Sequence, residues 1–143
     1  MLVETILNTK GVVVHTLPDT ATLADAVAAL NAHNVGALVI TDQDGAIAGI
    51  LSERDVVRRL GRDAAATLSL AIAECMTRSV VTASRDTPVS EVMERMTRFR
   101  IRHMPVAEDG QLVGIVSIGD VVKRRIEDVE REAEEIGAYI ATA

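Results

Sequence analysis

The 143-residue sequence holds no tryptophan, a single phenylalanine (Phe99) and a single tyrosine (Tyr139). Proteins that hold single-stranded nucleic acid stack bases on aromatic side chains, so this class is disfavoured, and any ring bound here has to lie between aliphatic groups. Positive charge is also scarce. Fifteen Lys and Arg against 21 Asp and Glu leave a net charge of −6, the wrong sign for a phosphate backbone. No nucleic-acid partner is expected. The lone Cys75 excludes an internal disulfide and any multi-cysteine zinc site, and beside Met76 it reads as a small buried apolar residue. No metal is expected. The N-terminus carries Glu4 and no long apolar run, which predicts neither a secretory signal nor a membrane span and places the protein in the cytoplasm. Walker and Rossmann glycine patterns are missing, and the three histidines are scattered. Without a nucleophile beside a base, a carboxylate pair or a metal cluster, no enzyme is predicted.

What the sequence does contain, it contains twice. Gly49-Ile50-Leu51-Ser52-Glu53-Arg54-Asp55 returns 65 positions later as Gly114-Ile115-Val116-Ser117-Ile118-Gly119-Asp120, each followed by Val-Val and basic residues. Upstream the offset is 66, pairing Leu23 with Val89, Val27 with Met93 and Val39-Ile40 with Pro105-Val106. One extra residue in the turn 41–45, against 107–110, accounts for the drift. An internal repeat of this kind decides the fold. Units this small bury too little alone, so the copies should pack on each other; 48% hydrophobic residues supply the core.

Each copy reads as strand, helix, strand, strand, helix (β-α-β-β-α), an α/β (α+β) class. In the first copy, residues 12–14 predict a short strand. Thr22 serves as N-cap of a helix to about Asn31 with Leu23, Ala26, Val27 and Leu30 on one face. Residues 36–40 and 47–51 form a hairpin, and Ser52 opens a second helix. The second copy repeats this with a strand at 80–82, a helix from Pro88 bearing Val89, Val92, Met93 and Met96, and strands at 104–106 and 112–116. Leu68 to Met76 predicts one short amphipathic helix. The expected division is a lead with the first repeat (1–61), a linker (62–78), the second repeat (79–125) and a C-terminal helical extension (126–143). In that extension Val122, Ile126, Val129, Ala133, Ile136 and Ile140 recur at steps of four and three, the spacing of a coiled-coil seam. Such a stripe either lies on its own core or meets another subunit.

Each Ser-x-x-Asp stands where a strand hands over to a helix. The pattern is a capping box, in which serine accepts from a first-turn amide and the acid reaches back. It also suits an anion or ribose site, because a helix start attracts phosphate and a fixed carboxylate accepts from two adjacent hydroxyls. Both can hold together. The repeated preceding glycine permits close backbone approach.

These residues resemble the cystathionine-β-synthase (CBS) domain family, marked by a strand ending in Gly, two apolar residues and Ser/Thr-x-x-Asp. The likeness covers nearly the whole chain, through Lys10-Gly11, His33 to Val39, Ser52 to Asp55, Arg100 to Val106 and Ser117 to Val122, and is to the stand-alone two-CBS proteins of bacteria and plant organelles. It implies two pseudo-twofold repeats packed as a Bateman module, adenosine-containing ligands in the clefts between them, and pairing of modules into a homodimer. Ser52 and Asp55, with Arg54 as a nearby positive charge, are implied in one cleft. Ser117, Ile118, Gly119 and Asp120 are implied in the other.

The clefts should differ. Arg98, Arg100 and Arg102 alternate before His103, and alternate residues of an extended segment share a face. Three guanidinium groups aimed one way grip phosphate, or else form a solvated edge. The better site is therefore expected in the second copy, with Arg102 and His103 at phosphate, Asp120 at ribose and Thr82, Met104, Pro105 and Val106 as further members, and the Lys-Gly pattern of the resembling proteins implies that Lys10 completes it. On that basis Asp120→Ala should weaken binding more than Asp55→Ala. His15 and His33 read as structural. The expected function is a regulatory energy or redox sensor binding AMP, or else ADP, ATP, NAD(H) or S-adenosylmethionine, that acts on a separate effector protein. The competing reading is a ligand-free dimerisation or interaction module.

Overall fold

The computed structural model describes residues 1–142. Helix α1 (Val3–Lys10) leads into β1 (Thr16–Pro18), α2 (Leu23–His33), β2 (Ala37–Thr41), β3 (Ile47–Ser52) and α3 (Glu53–Leu60). A 3-10 turn (Thr67–Ser69) and α4 (Ile72–Cys75) connect to α5 (Val89–Phe99), β4 (His103–Glu108), β5 (Gln111–Ser117) and α6 (Ile118–Thr142). Strand order is β1-β2-β3 in one sheet, with β1 parallel to β2 and β2 antiparallel to β3, and β4-β5 antiparallel in the other. The mixed α/β repeat and the long C-terminal helix are as expected.

Local chemistry explains most boundaries. Thr22 and Ser52 each close a capping box with the aspartate three residues on, Asp25 and Asp55, satisfying amides that a helix start otherwise leaves free. The two hairpins turn through Gly45 and Gly110 at φ 81° and 78°, a region glycine enters without steric cost. Leu23, Ala26 and Leu30 of α2 are buried against Leu38, Ile40 and Leu51. In the second repeat Val89, Val92 and Met96 of α5 pack with Met104, Val106 and Val116.

Three expectations about elements need correction. Residues 12–14 are not a strand: Val12 and Val13 are exposed and have no strand to pair with, and ladder pairing starts at Thr16 opposite Val39. In the second copy the strand expected at 80–82 shrinks to one parallel bridge, Ala83 to Val106, the counterpart of Leu17 opposite Ile40. The single helix expected from Leu68 to Met76 is the 3-10 turn and four-residue α4, separated at Leu70, whose backbone is extended.

The repeats are joined by an exchange of segments. Helix α1 precedes the first repeat but its Val3, Ile6 and Leu7 are buried in the core of the second. Helix α4 precedes the second repeat, yet its Ile72 is buried in the core of the first. The docking bonds match: Val3 N–H donates to Thr87 O and Val89 N–H to Met1 O, while Ile72 N–H donates to Ala21 O and Leu23 N–H to Leu70 O. The glycine of the repeated motif serves this crossing. A β carbon on Gly49 would stand 2.6 Å from Met76 Sδ and 2.9 Å from Thr77 O, and one on Gly114 would stand 2.8 Å from Leu7 Cδ2. The close approach that these glycines permit is thus to the segments docked across the repeats.

Candidate functional site

The two exchanged segments differ in length, and this makes the two clefts unequal. Helix α4 ends at Cys75, and the chain then peels away, with Ile50 and Thr77 exchanging backbone hydrogen bonds of 3.0 and 2.9 Å. Between that departing segment and the repeats lies a cavity of about 610 Å³, within the range of small-molecule pockets. Its lining draws on both repeats: Ser52, Arg54 and Asp55 from the first, Arg100, Arg102, His103 and Pro105 from the second, and Thr77, Ser79, Val80 and Val81 between them. Helix α1, by contrast, continues to Lys10, whose Nζ donates to Asp120 Oδ2 at 2.7 Å and to Ile115 O at 3.0 Å. A crevice beside this pair holds only about 60 Å³.

Around the cavity the capping chemistry leaves a carboxylate oxygen available. Asp55 Oδ2 accepts from Ser52 N–H at 2.8 Å and from Ser52 Oγ at 3.1 Å. Oδ1 has no hydrogen-bond partner among the described residues. Glu53 N–H donates to Gly36 O at 3.0 Å, which fixes the α3 start against the lead into β2. Ile50, Val80, Val81, Ile101 and Pro105 supply apolar walls, and Arg54, Arg58, Arg100 and Arg102 outnumber Glu53 and Asp55. The cavity is therefore apolar on its walls and positive in sum, and carries a carboxylate that can accept from a diol.

The motif of the second repeat has the same bonds with an added cation. Asp120 Oδ2 accepts from Ser117 N–H at 2.8 Å, from Ser117 Oγ at 3.0 Å and from Lys10. Burial alone pushes this carboxyl up, but the hydrogen bonds from Lys10 and Ser117 outweigh it and hold its pKa below the usual value. His103 stands between the two motifs, and burial lowers its pKa, with Lys10 and Arg102 adding to the effect and Glu53 and Asp120 opposing it. Its surroundings thus favour the neutral imidazole. Gly36 makes room for it, since a β carbon there would lie 3.2 Å from His103 Nε2.

The expected site residues thus divide differently from the sequence reading. Arg102, His103 and Pro105 share the cavity with Ser52, Arg54 and Asp55, while Lys10, Ser117 and Asp120 form a hydrogen-bonded group of their own. The better site was expected in the second copy around Asp120, but the larger cavity lies on the Asp55 side, because the end of α1 fills the space that the end of α4 leaves open. Ile118 and Gly119 lie in the first turn of α6, where Ile118 N–H donates to Arg102 O. Met104 and Val106 are core residues with no exposure, and the Thr82 carbonyl accepts from Arg95.

The arginine row is also corrected. Helix α5 runs to Phe99, so Arg98 lies on the helix and pairs with Glu94, and Arg100 is the left-handed C-cap at φ 54°. Only Arg100 and Arg102 reach the cavity. Sequence reasoning missed Arg58, Thr77, Val81 and Phe99, all of which line it. By the repeat offset Val81 and Phe99 correspond to His15 and His33, whose rings stack at 3.7 Å and 11°, but nothing in that correspondence pointed to the cavity. An aromatic ring therefore borders the cavity after all.

A pH dependence follows from His103. Its folded pKa lies below the unfolded value near 6.5, so the unfolded chain takes up the proton first as pH falls. The neutral imidazole's contribution is complete above about pH 6.5 and is lost as pH drops through the folded pKa, at a slope of up to about 1.4 kcal/mol per pH unit. The melting temperature of His103→Gln should accordingly fall less between pH 7 and 5 than that of wild type. Parallel curves would remove His103 as the source.

Among the described residues no group of three or more His, Cys, Asp and Glu is placed to hold a metal ion, and no helix is long and apolar enough to cross a membrane. Comparison with known proteins matches the CBS domain model twice, at residues 3–62 and 72–127. Among solved structures, a CBS-domain-containing protein from Agrobacterium tumefaciens is 42% identical with a TM-score of 0.84, covering 87% of this chain and 92% of its own. The CBS domain pair of protein MJ0100, in complex with 5-methylthioadenosine and S-adenosyl-L-methionine, is 30% identical with a TM-score of 0.80, covering 90% and 98%. A CBS domain protein from Pyrobaculum aerophilum complexed with AMP is 29% identical with a TM-score of 0.76, covering 84% and 89%. Among curated sequences, the chain is 38% identical to a mitochondrial CBS domain-containing protein of Arabidopsis thaliana over 83% of its length, and spans 60% of that relative and 23% of another from the same plant.

Proposed function

The chain belongs to the CBS-domain family as a tandem pair, and from that premise we propose that it is a regulatory module whose open cavity takes the phosphate-bearing adenosine ligand AMP. One observation carries this reading: a cavity of about 610 Å³ joins Ser52 and Asp55 of the first repeat to Arg100, Arg102 and His103 of the second. Asp55 Oδ1 accepts from the ribose hydroxyls, Val80, Val81, Pro105 and Ile50 flank adenine, and the arginines hold phosphate, where paired guanidinium donors match its oxygens. The same positive balance ranks ADP, ATP and NAD(H) as alternatives above S-adenosylmethionine, whose sulfonium would meet four arginines. Relatives with 5-methylthioadenosine, S-adenosylmethionine and AMP support an adenosyl ligand in general.

A ligand touching both repeats favours the arrangement in which it fits, and an effector protein sensing that arrangement is regulated by differential binding. The role proposed is regulation in response to nucleotide levels, by a homodimer in the cytoplasm, with no catalytic step assigned. The units proposed are residues 1–61, 79–125, a linker at 62–78 and the extension at 126–143. Titration calorimetry with AMP, followed by competition with ATP, NADH and S-adenosylmethionine, tests the ligand. Saturable binding with S-adenosylmethionine the weakest competitor is expected. Absence of heat and of thermal stabilisation with all four, in protein shown to be ligand-free, would leave the interaction-module reading in its place.

A further inference from the structure

Helix α6 turns its back on its own body. Val121 is buried in the second core, Arg124 is largely covered and Asp128 is buried, all on one side of the helix. The opposite side carries Val122, Ile126, Val129, Ala133, Ile136 and Ile140, and its five large members are 44% to 68% exposed. Of the two readings of this stripe, the one that lays it on its own core does not hold. In heptad terms Ile126, Ala133 and Ile140 are a positions and Val122, Val129 and Ile136 are d positions.

Charges on the helix sort by the same frame. Arg124 pairs with Glu127 and Asp128, and Arg131 with Asp128 and Glu135, all at positions away from the seam. Lys123, Arg125, Glu130 and Glu132, which border it, take part in no ion pair among the described residues. Arg125 is a g position and Glu130 the e position of the next heptad, the pair that meets across two parallel helices in register. An antiparallel partner with all six layers overlapped would instead set Glu130 against Glu130 and Glu132 against Glu132. Like charges there oppose that orientation.

We infer that α6 pairs with α6 of a second copy of this chain, parallel and in register, through this seam, with Arg125 reaching Glu130 of the partner subunit. The inference rests on the homodimer part of the proposed function and not on its ligand. Fewer than three heptads make a weak coiled coil in isolation. Here the helix is already nucleated by continuity with β5 and the capped start at Ser117, so the cost of forming it is not charged to association.

The test uses the full chain with Cys75→Ala and single cysteines on α6. Val129→Cys should form an intersubunit disulfide in most chains under mild oxidation, because d positions face each other, whereas Arg131→Cys on the outer face should not. Sedimentation equilibrium should show Arg125→Glu dimerising roughly tenfold more weakly, as two attractive pairs become repulsive, with the swap Arg125→Glu/Glu130→Arg restoring wild-type affinity. If wild type sediments as a dimer while Val129→Cys and Arg131→Cys cross-link alike, the seam is wrong and the homodimer stands on another surface. A mixture of Val129→Cys and Ala133→Cys that links only between the two variants overturns the parallel orientation. A wild-type monomer overturns both the seam and the homodimer.

Discussion

Asp55→Ala lowers affinity for AMP about a hundredfold, whereas Asp120→Ala changes it less than about threefold. The first figure comes from removing a carboxylate that accepts two hydrogen bonds from a ribose diol, at roughly 1.5–3 kcal/mol for each bond to a charged group, discounted because water replaces part of the loss. The second follows from the crevice of about 60 Å³ beside Asp120, where Lys10 already occupies the carboxylate. Stability provides the control. Both substitutions break a capping box, worth about 1 kcal/mol, and Asp120→Ala also removes the ion pair of 2.7 Å with Lys10. Asp120→Ala should therefore melt at the lower temperature while binding more tightly. Calorimetric titration and thermal denaturation of the two variants check this, and equal losses of affinity would remove the cavity from its assigned role.

Gly49→Ala destabilises the fold by about 1–3 kcal/mol, the usual cost of forcing extra volume into a packed core. Its β carbon would overlap Met76 Sδ at 2.6 Å and the Thr77 carbonyl at 2.9 Å. The thioether can swing aside, but Thr77 O is held by Ile50 N–H, so the backbone has to move. Gly114→Ala is milder, because all three of its close contacts are to the Leu7 side chain, nearest at its tip. Denaturant midpoints should fall in the order wild type, Gly114→Ala, Gly49→Ala. Thr77 also lines the cavity, so Gly49→Ala is expected to lose AMP affinity as well, which Gly114→Ala is not. Equal midpoints for the two glycine variants would contradict this account of the crossing.

Those two glycines show what could be read in the sequence and what could not. Their recurrence at an offset of 65 identified the repeat, the hairpins and the capped helices, because turn chemistry, caps and periodicity act over a few residues. Their purpose was hidden, because Leu7 and Met76 come from segments that pack against the other repeat, and no local pattern reports an exchange. The same limit applies to Val3, Ile6 and Leu7. Three apolar residues among polar neighbours make a weak helical signal until a second surface buries them. The site was legible as a set of residues and not as a grouping. Ser52, Asp55, Arg102 and His103 were all picked out, but which carboxylate shares a space with which arginine depends on α4 stopping at Cys75 while α1 continues to Lys10. Arg98 sits on a helix that reaches one turn beyond the last residue of its apolar stripe, Met96, and so is not part of an extended row.

The exchanged α1 also sets a timetable. A chain made from its N-terminus releases Val3, Ile6 and Leu7 well before Val106, Val116 and Val121, which help to form the pocket that buries them. Until the second repeat has been made, this helix has no home and its apolar face waits. Closure of the fold is consequently a late, long-range event, of the kind that slows folding and exposes sticky surface to chaperones while it is pending.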